Sequence, residues 1–176
     1  MKPLIGTELK RFLRDYKRAH RPAHDLAALL QSVEYPANVG SIFRIADGAG
    51  VTQLVLTGIT PAPPHPTIDK VGRFKSTKVP WRYEQDPLAA MMALRSDGYH
   101  IVALELTDAA VPYHQYHYPQ KTCLVVGHED HGITKATLSA CDAAVFVPMY
   151  GKGRSLNVHV ALGIVIYHIL HPKPAR

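Results

Sequence analysis

Two periods of apolar residues alternate along this chain. Leu9, Phe12, Leu13 and Tyr16 recur at i, i+3, i+4 and i+7, which predicts an amphipathic helix over about residues 8–20, capped by Thr7 and ended by Arg21-Pro22. One face of that helix is expected to dock and the other to carry its cations. Residues 26–33 form a short apolar run, read as a buried strand. Tyr35-Pro36-Ala37-Asn38 breaks it, residues 39–49 read as a helix ended by Gly50, and residues 53–57 as the next strand.

The same alternation continues to the end of the chain. A short strand is expected over residues 78–81, a helix over 87–96 stopped by Gly98, and strands over 100–106 and 122–127. Thr134 reads as the cap of a helix to Cys141, residues 144–147 as a strand, and Ser155 as the cap of a last helix to Leu170, closed by His171-Pro172. Strands that alternate with helices and are apolar along most of their length predict an α/β domain, a mainly parallel sheet flanked by helices. Residues 58–77, with Pro61, Pro63, Pro64 and Pro66, read as one long loop. Loops of that length are uncommon unless they have a function, and this one carries Lys70, Arg73 and Lys75, with Lys78 just beyond it.

Composition narrows the class. The chain has 176 residues and 47% hydrophobic content, enough for one domain with a real core. No apolar run reaches the roughly 18 residues of a membrane span, and Leu4-Ile5 is followed at once by polar residues, so neither a membrane anchor nor a signal peptide is expected. Cys123 and Cys141 lack metal spacing and read as free thiols of a cytoplasmic protein. The net charge of +6 is uneven: residues 1–24 hold seven Lys/Arg against Glu8 and Asp15, while the remainder is nearly neutral. The chain therefore divides into a basic helical extension, 1–24, and a domain, 25–176. A concentrated basic segment on a neutral body points to a polyanion.

Candidate chemistry gathers at strand ends and helix starts, where open α/β sheets bind ligands. A glycine-broken basic loop, Gly151-Lys152-Gly153-Arg154, runs straight into the last helix. Loop flexibility, cations and a helix N-terminus together favour an anionic or polar ligand. Ser155 fits an N-cap there, but that leaves Asn157 unexplained on so apolar a helix. Asn38-Val39-Gly40-Ser41-Ile42-Phe43-Arg44 opens an earlier helix, Gly127-His128-Glu129-Asp130-His131-Gly132 follows an apolar strand, and Val147-Pro148-Met149 follows another.

Taken in order, these segments resemble the three motifs of the SpoU/TrmH branch of the SPOUT RNA methyltransferases, over roughly residues 26–170. Asn38 to Arg44 resembles the first motif, Leu124-Val125-Val126-Gly127-His128-Glu129 with Gly132 the second, and Val147-Pro148-Met149 with Ser155-Leu156-Asn157-Val158 the third. The position after Gly127 is often small in that family; here it is His128. The resemblance implies a SPOUT fold with a deep C-terminal trefoil knot, S-adenosylmethionine as cofactor, and an obligate homodimer. It implies methyl transfer to a ribose 2′-hydroxyl of tRNA or rRNA, with tRNA favoured. It places the catalytic site at Asn38, Arg44, Glu129, Ser155 and Asn157, and cofactor contacts at Leu104, Gly127, Val147, Met149, Ser155 and Leu156.

A guanidinium is a poor base at neutral pH, so Arg44 reads as a clamp on phosphate and developing alkoxide. Asn38 and Asn157 could hold a ribose hydroxyl, and Glu129 could order its loop or an arginine. With no separate RNA-binding domain in the sequence, Arg11, Arg14, Lys17, Arg18, Lys70, Arg73, Lys75, Lys152 and Arg154 are the expected RNA contacts, through phosphates. A catalytically inactive RNA-binding module of the same fold is the alternative. The pairs His114/His117 and His128/His131 are too weak a signal for a metal, and none is expected. Neither a G-x-G-x-x-G fingerprint nor a Walker A loop is present.

Overall fold

The computed structural model describes residues 1–20 and 22–170; Arg21 of the expected Arg21-Pro22 stop, and residues 171–176 with the expected His171-Pro172 stop, lie outside the described residues. Helix α1 (Gly6–Ala19) leads to strand β1 (Asp25–Gln31), followed by α2 (Pro36–Ala49), β2 (Gln53–Thr57), α3 (Pro66–Gly72), β3 (Trp81–Glu84) and α4 (Pro87–Ser96). Then come β4 (His100–Leu104), β5 (Val111–Pro112), β6 (Lys121–Val126), α5 (Lys135–Ser139), β7 (Ala143–Phe146) and α6 (Val158–Leu170). The strands form one sheet in the order β3-β2-β1-β6-β4-β7-β5, and every pairing is parallel.

Side-chain alternation in the strands divides the core into two layers. Leu26, Ala28 and Leu30 of β1 face Val39, Ile42, Phe43 and Ala46 of α2 and Leu162, Val165 and Ile166 of α6. Ala27 and Leu29 face the other way, against Ala90, Met91 and Leu94 of α4. Cys123 lies in that second layer, where burial pushes its thiol pKa up; Cys141 is partly buried and its pKa is raised to about 11.

Several expected boundaries move, each for a local reason. The stretch expected as a loop contains α3 and a 3₁₀ turn, Lys75–Thr77. Pro66 sits at the first helical position, and the Thr67 N–H donates to His65 Nδ1 at 3.2 Å, so a proline that looked like a breaker starts a helix. Pro36 does the same for α2, and Asn38 lies inside that helix, not at its cap. The short strand is Trp81–Glu84 and not 78–81, because residues 75–77 are used by the turn and Pro80 cannot donate to a ladder. Strand β5, two residues long and on the sheet edge, had no expected counterpart. In α1 no residue is buried: Leu9, Phe12, Leu13 and Tyr16 are all exposed, so the face expected to dock stays uncovered within the chain.

The last helix starts two residues later than Ser155 suggests. Asn157 is its cap: the His159 N–H donates to Asn157 Oδ1 at 3.1 Å, and the N–H groups of Val160 and Ala161 donate to the Asn157 carbonyl. The asparagine that folding had not explained therefore has a structural job, while Ser155 lies in the exposed loop before it.

Candidate active site

Three loops leave the carboxyl ends of β4, β6 and β7 and enclose a cleft of about 870 Å³. Such ends, beside a reversal of strand order, are where open parallel sheets hold ligands. Leu104, Gly127, Val147, Met149, Ser155 and Leu156 all line it, which brings every expected cofactor position onto one surface. Glu129, Asn157 and Arg154 line it too. Its walls mix apolar side chains with loop backbone and the carboxylates of Glu105 and Glu129, at a size suited to a nucleoside-containing ligand.

The loop after β6 is closed on itself. The N–H of His128 donates to the Gly132 carbonyl at 3.1 Å, and the N–H of Gly132 donates back to the His128 carbonyl at 2.8 Å. Gly132 takes φ +65, a left-handed conformation that favours glycine, and a Cβ there would also strike the Glu105 carboxylate. Glu105 itself accepts from the Ile133 N–H at 3.1 Å and the Leu106 N–H at 3.0 Å, tying the β4 loop to the β6 loop. The unusual His128 finds partners: its Nδ1 accepts from the Asp130 N–H, which leaves the Nε2 proton for Glu34 Oε2 at 3.2 Å. His131 lies near it, the two rings tilted by 37° with centroids 4.6 Å apart. Among the described residues no group of three or more His, Cys, Asp or Glu could hold a metal ion.

Glu129 reaches out of this loop to the start of α2. Its carboxylate accepts from the N–H groups of Glu34 (3.0 Å) and Tyr35 (3.3 Å) and from Asn38 Nδ2 (2.6 Å). A negative charge at a helix N-terminus is favourable. Burial alone would raise this carboxyl, but the hydrogen bonds outweigh it, and Glu129 titrates below its ordinary value. Because the Asn38 amide nitrogen is committed to Glu129, its Oδ1 faces His159 Nδ1 at 3.1 Å and accepts that proton. Burial lowers the pKa of His159, so the ring is neutral near pH 7. A continuous chain thus runs from Glu129 through Asn38 to His159 and Asn157, joining the second, first and third motifs.

A pH dependence follows. The carboxyl of Glu129 has a lower pKa folded than unfolded, so its stabilisation is complete above the unfolded value of about 4.3 and is lost as pH falls through the folded value. Urea midpoints measured from pH 6 down to pH 3 should fall less steeply for Glu129→Gln than for the unsubstituted protein; parallel curves would contradict this.

The other expected residues are placed as follows. Asn38 is 6% exposed, behind the cleft wall, with both ends of its amide engaged. Arg44 lies two turns along α2, exposed and outside the cleft lining, with no ion pair among the described residues. Arg11, Arg14, Lys17, Arg18, Lys70, Arg73 and Lys152 are exposed, whereas Lys75 is held by Asp47 at 2.7 Å. His159 and Glu105 were missed in the sequence. Each owes its place to a partner far along the chain, 121 residues away for His159 and 28 for Glu105, so no local pattern marks them.

The SpoU rRNA Methylase family matches residues 25–167. A tRNA (guanosine(18)-2′-O)-methyltransferase of Escherichia coli K12 is 30% identical over 157 residues, 89% of this chain and 68% of that protein. The A. aeolicus TrmH/SpoU tRNA modifying enzyme superimposes with a TM-score of 0.77 at 26% identity, over 93% of this chain and 82% of that one. The SpoU methyltransferase AviRb from Streptomyces viridochromogenes, solved with AdoMet, gives a TM-score of 0.77 over 86% of this chain and 58% of its own, and at 24% identity speaks for the fold alone.

Proposed function

We propose that this chain, which belongs to the SpoU rRNA methylase family, transfers a methyl group from S-adenosylmethionine to a ribose 2′-hydroxyl of a structured RNA. The observation that carries the reading is the cleft in which Leu104, Gly127, Val147, Met149, Ser155 and Leu156 meet, beside a hydrogen-bonded chain that joins all three motifs. Apolar walls and loop backbone suit an adenosine moiety, and the nearby carboxylates suit a cation. When bound, S-adenosylmethionine supplies an activated methyl group and the driving force for its transfer.

The remaining work falls to the protein. Gly127 and the loop it opens, Met149 and Leu156 hold the donor. Glu129, Asn38 and His159 fix the first turns of α2 and α6 against the cleft rim. Ser155 and the amide nitrogen of Asn157, which has no hydrogen-bond partner among the described residues, face the ribose. Arg44, whose planar guanidinium offers a fork of donors, grips the phosphate and stabilises negative charge as the hydroxyl loses its proton to phosphate oxygen or water. A tRNA target is favoured, because the relative from E. coli and the A. aeolicus enzyme are both named for tRNA. The C-terminal trefoil knot, the homodimer and a cytoplasmic location are carried over from the family resemblance; separately, no helix among the described residues is long and apolar enough to cross a membrane.

Incubating the protein with S-adenosylmethionine labelled in the methyl group and bulk RNA tests this. The label should appear in alkali-resistant dinucleotides, since a 2′-O-methyl group blocks alkaline cleavage; label only in bases would refute ribose methylation. The basic extension, residues 1–24, is assigned to RNA. Replacing exposed Arg11, Arg14, Lys17 and Arg18 by glutamine should weaken RNA binding and flatten its dependence on salt, by up to four phosphate contacts' worth of slope. Unchanged affinity and slope would remove that role.

A further inference from the structure

Phe74 stands out on the surface beside α3. It is 64% exposed although phenylalanine is usually buried, and it makes no aromatic pair among the described residues. Its backbone is nevertheless held fast. Arg73 (φ 50) and Phe74 (φ 56) are consecutive non-glycine residues in the left-handed region, which side chains with a Cβ avoid. The Phe74 N–H donates to the Asp69 carbonyl at 3.0 Å, and its own carbonyl accepts from the N–H and hydroxyl of Thr77 at 3.3 and 2.9 Å. Ser76 Oγ donates to Asp69 Oδ1 at 3.2 Å. The turn is thus pinned in a costly conformation whose visible result is a ring presented to solvent, and strain of this kind collects at functional sites.

Its surroundings choose the partner. Lys70, Arg73 and Lys78, all within four residues of Phe74 along the chain, are exposed. The acidic groups nearby are already engaged, Asp69 by Ser76 and Asp47 by Lys75. A second copy meeting this patch face to face would bring like charges together, whereas an aromatic ring among cations matches nucleic acid, with base stacking for the ring and phosphates for the cations. The turn is also tied to α2, the helix that carries Arg44. Lys75 pairs at 2.7 Å with Asp47, one helical turn beyond Arg44 on α2. The backbones of α2 and α3 meet so closely that a Cβ on Gly40 would lie 2.9 Å from the Ile68 carbonyl oxygen.

We propose that Phe74 is a stacking platform for one unpaired nucleobase of the RNA substrate, with Lys70, Arg73 and Lys78 holding the phosphates that flank it. The role rests on the RNA methyltransferase reading and adds to it how the substrate is oriented towards Arg44. Stacking tolerates any base, so the patch would fix orientation and an unpaired state while leaving base identity to other contacts.

The test uses full-length protein, S-adenosylmethionine, and bulk RNA from cells that lack the protein. Phe74→Ala should raise the Kd for that RNA about tenfold, with the salt slope, cofactor affinity and oligomeric state unchanged. Phe74→Trp should stay within about twofold of the unsubstituted protein, while Arg73→Gln should lower the salt slope by about one contact. RNA affinity unmoved by Phe74→Ala would overturn the proposal, and so would dissociation of an oligomer, which would assign the ring to a protein interface. RNA binding without methyl transfer by the unsubstituted protein would refute the enzymatic reading alone, since the Phe74 comparison is read in binding.

Discussion

Alanine at Gly127 is expected to abolish measurable S-adenosylmethionine binding. A Cβ there would overlap the Gly132 carbonyl and lie 2.5 Å from the Ile133 nitrogen. Every atom it meets is backbone, so no side chain can rotate aside. The paired hydrogen bonds between His128 and Gly132, and those from Leu106 and Ile133 to Glu105, hold the opposing strand in place. The loop must open, and the cleft wall opens with it. A loss of at least about 100-fold in cofactor affinity is expected, with a stability loss of about 1–3 kcal/mol typical of forced overpacking. Calorimetric titration with S-adenosylmethionine and a thermal melt read the two effects. Gly153→Ala is the control: its Cβ would meet only the mobile Met149 Cε at 3.6 Å, so binding should be retained. Near-normal affinity in Gly127→Ala would mean that the cofactor does not use this loop.

The second large effect belongs to Arg44. Lysine keeps its charge but loses the planar fork that grips two oxygens at once. Arg44→Lys should lower kcat on RNA by about 100-fold, the usual scale for removing one well-placed donor to a developing oxyanion. Folding should be untouched, because Arg44 is exposed and unpaired among the described residues and such sites change stability by less than about 0.5 kcal/mol. Cofactor affinity should be unchanged as well, since Arg44 lies outside the cleft lining. Near-normal turnover in the lysine variant would count against a clamp. An acid limb of the rate profile that moves with the residue at position 44 would instead make it the base.

Much of this could be read in the sequence, and the failures have definite causes. The strands of the centre were legible because apolar residues dominate both of their faces, and α4 because Leu88, Met91, Met92 and Arg95 follow Pro87 and Gly98 stops them; the structure adds a side-chain cap, the Leu88 N–H donating to Asp86 Oδ1 at 2.9 Å. Prolines were misread where they start helices, at Pro36 and Pro66. Ser155 and Asn157 exchanged roles because both are good caps and only the tertiary path of the loop chooses between them. The apolar face of α1 was legible, but what covers it is not part of the chain's own core. The cofactor positions came from the resemblance to a family, and the cleft brings all of them together. The links that hold the site, Glu129 to the start of α2 and Asn38 to His159, span 91 to 121 residues and could be found only in three dimensions.

The activity proposed for this cleft is ribose methylation of RNA. Mapping 2′-O-methyl groups across all RNA from cells with and without the protein tests it most directly. At least one ribose should lose its methyl group in the deletion, regain it with the unsubstituted gene, and fail to regain it with Gly127→Ala. An identical methylation map in both cells, or full restoration by Gly127→Ala, would contradict it.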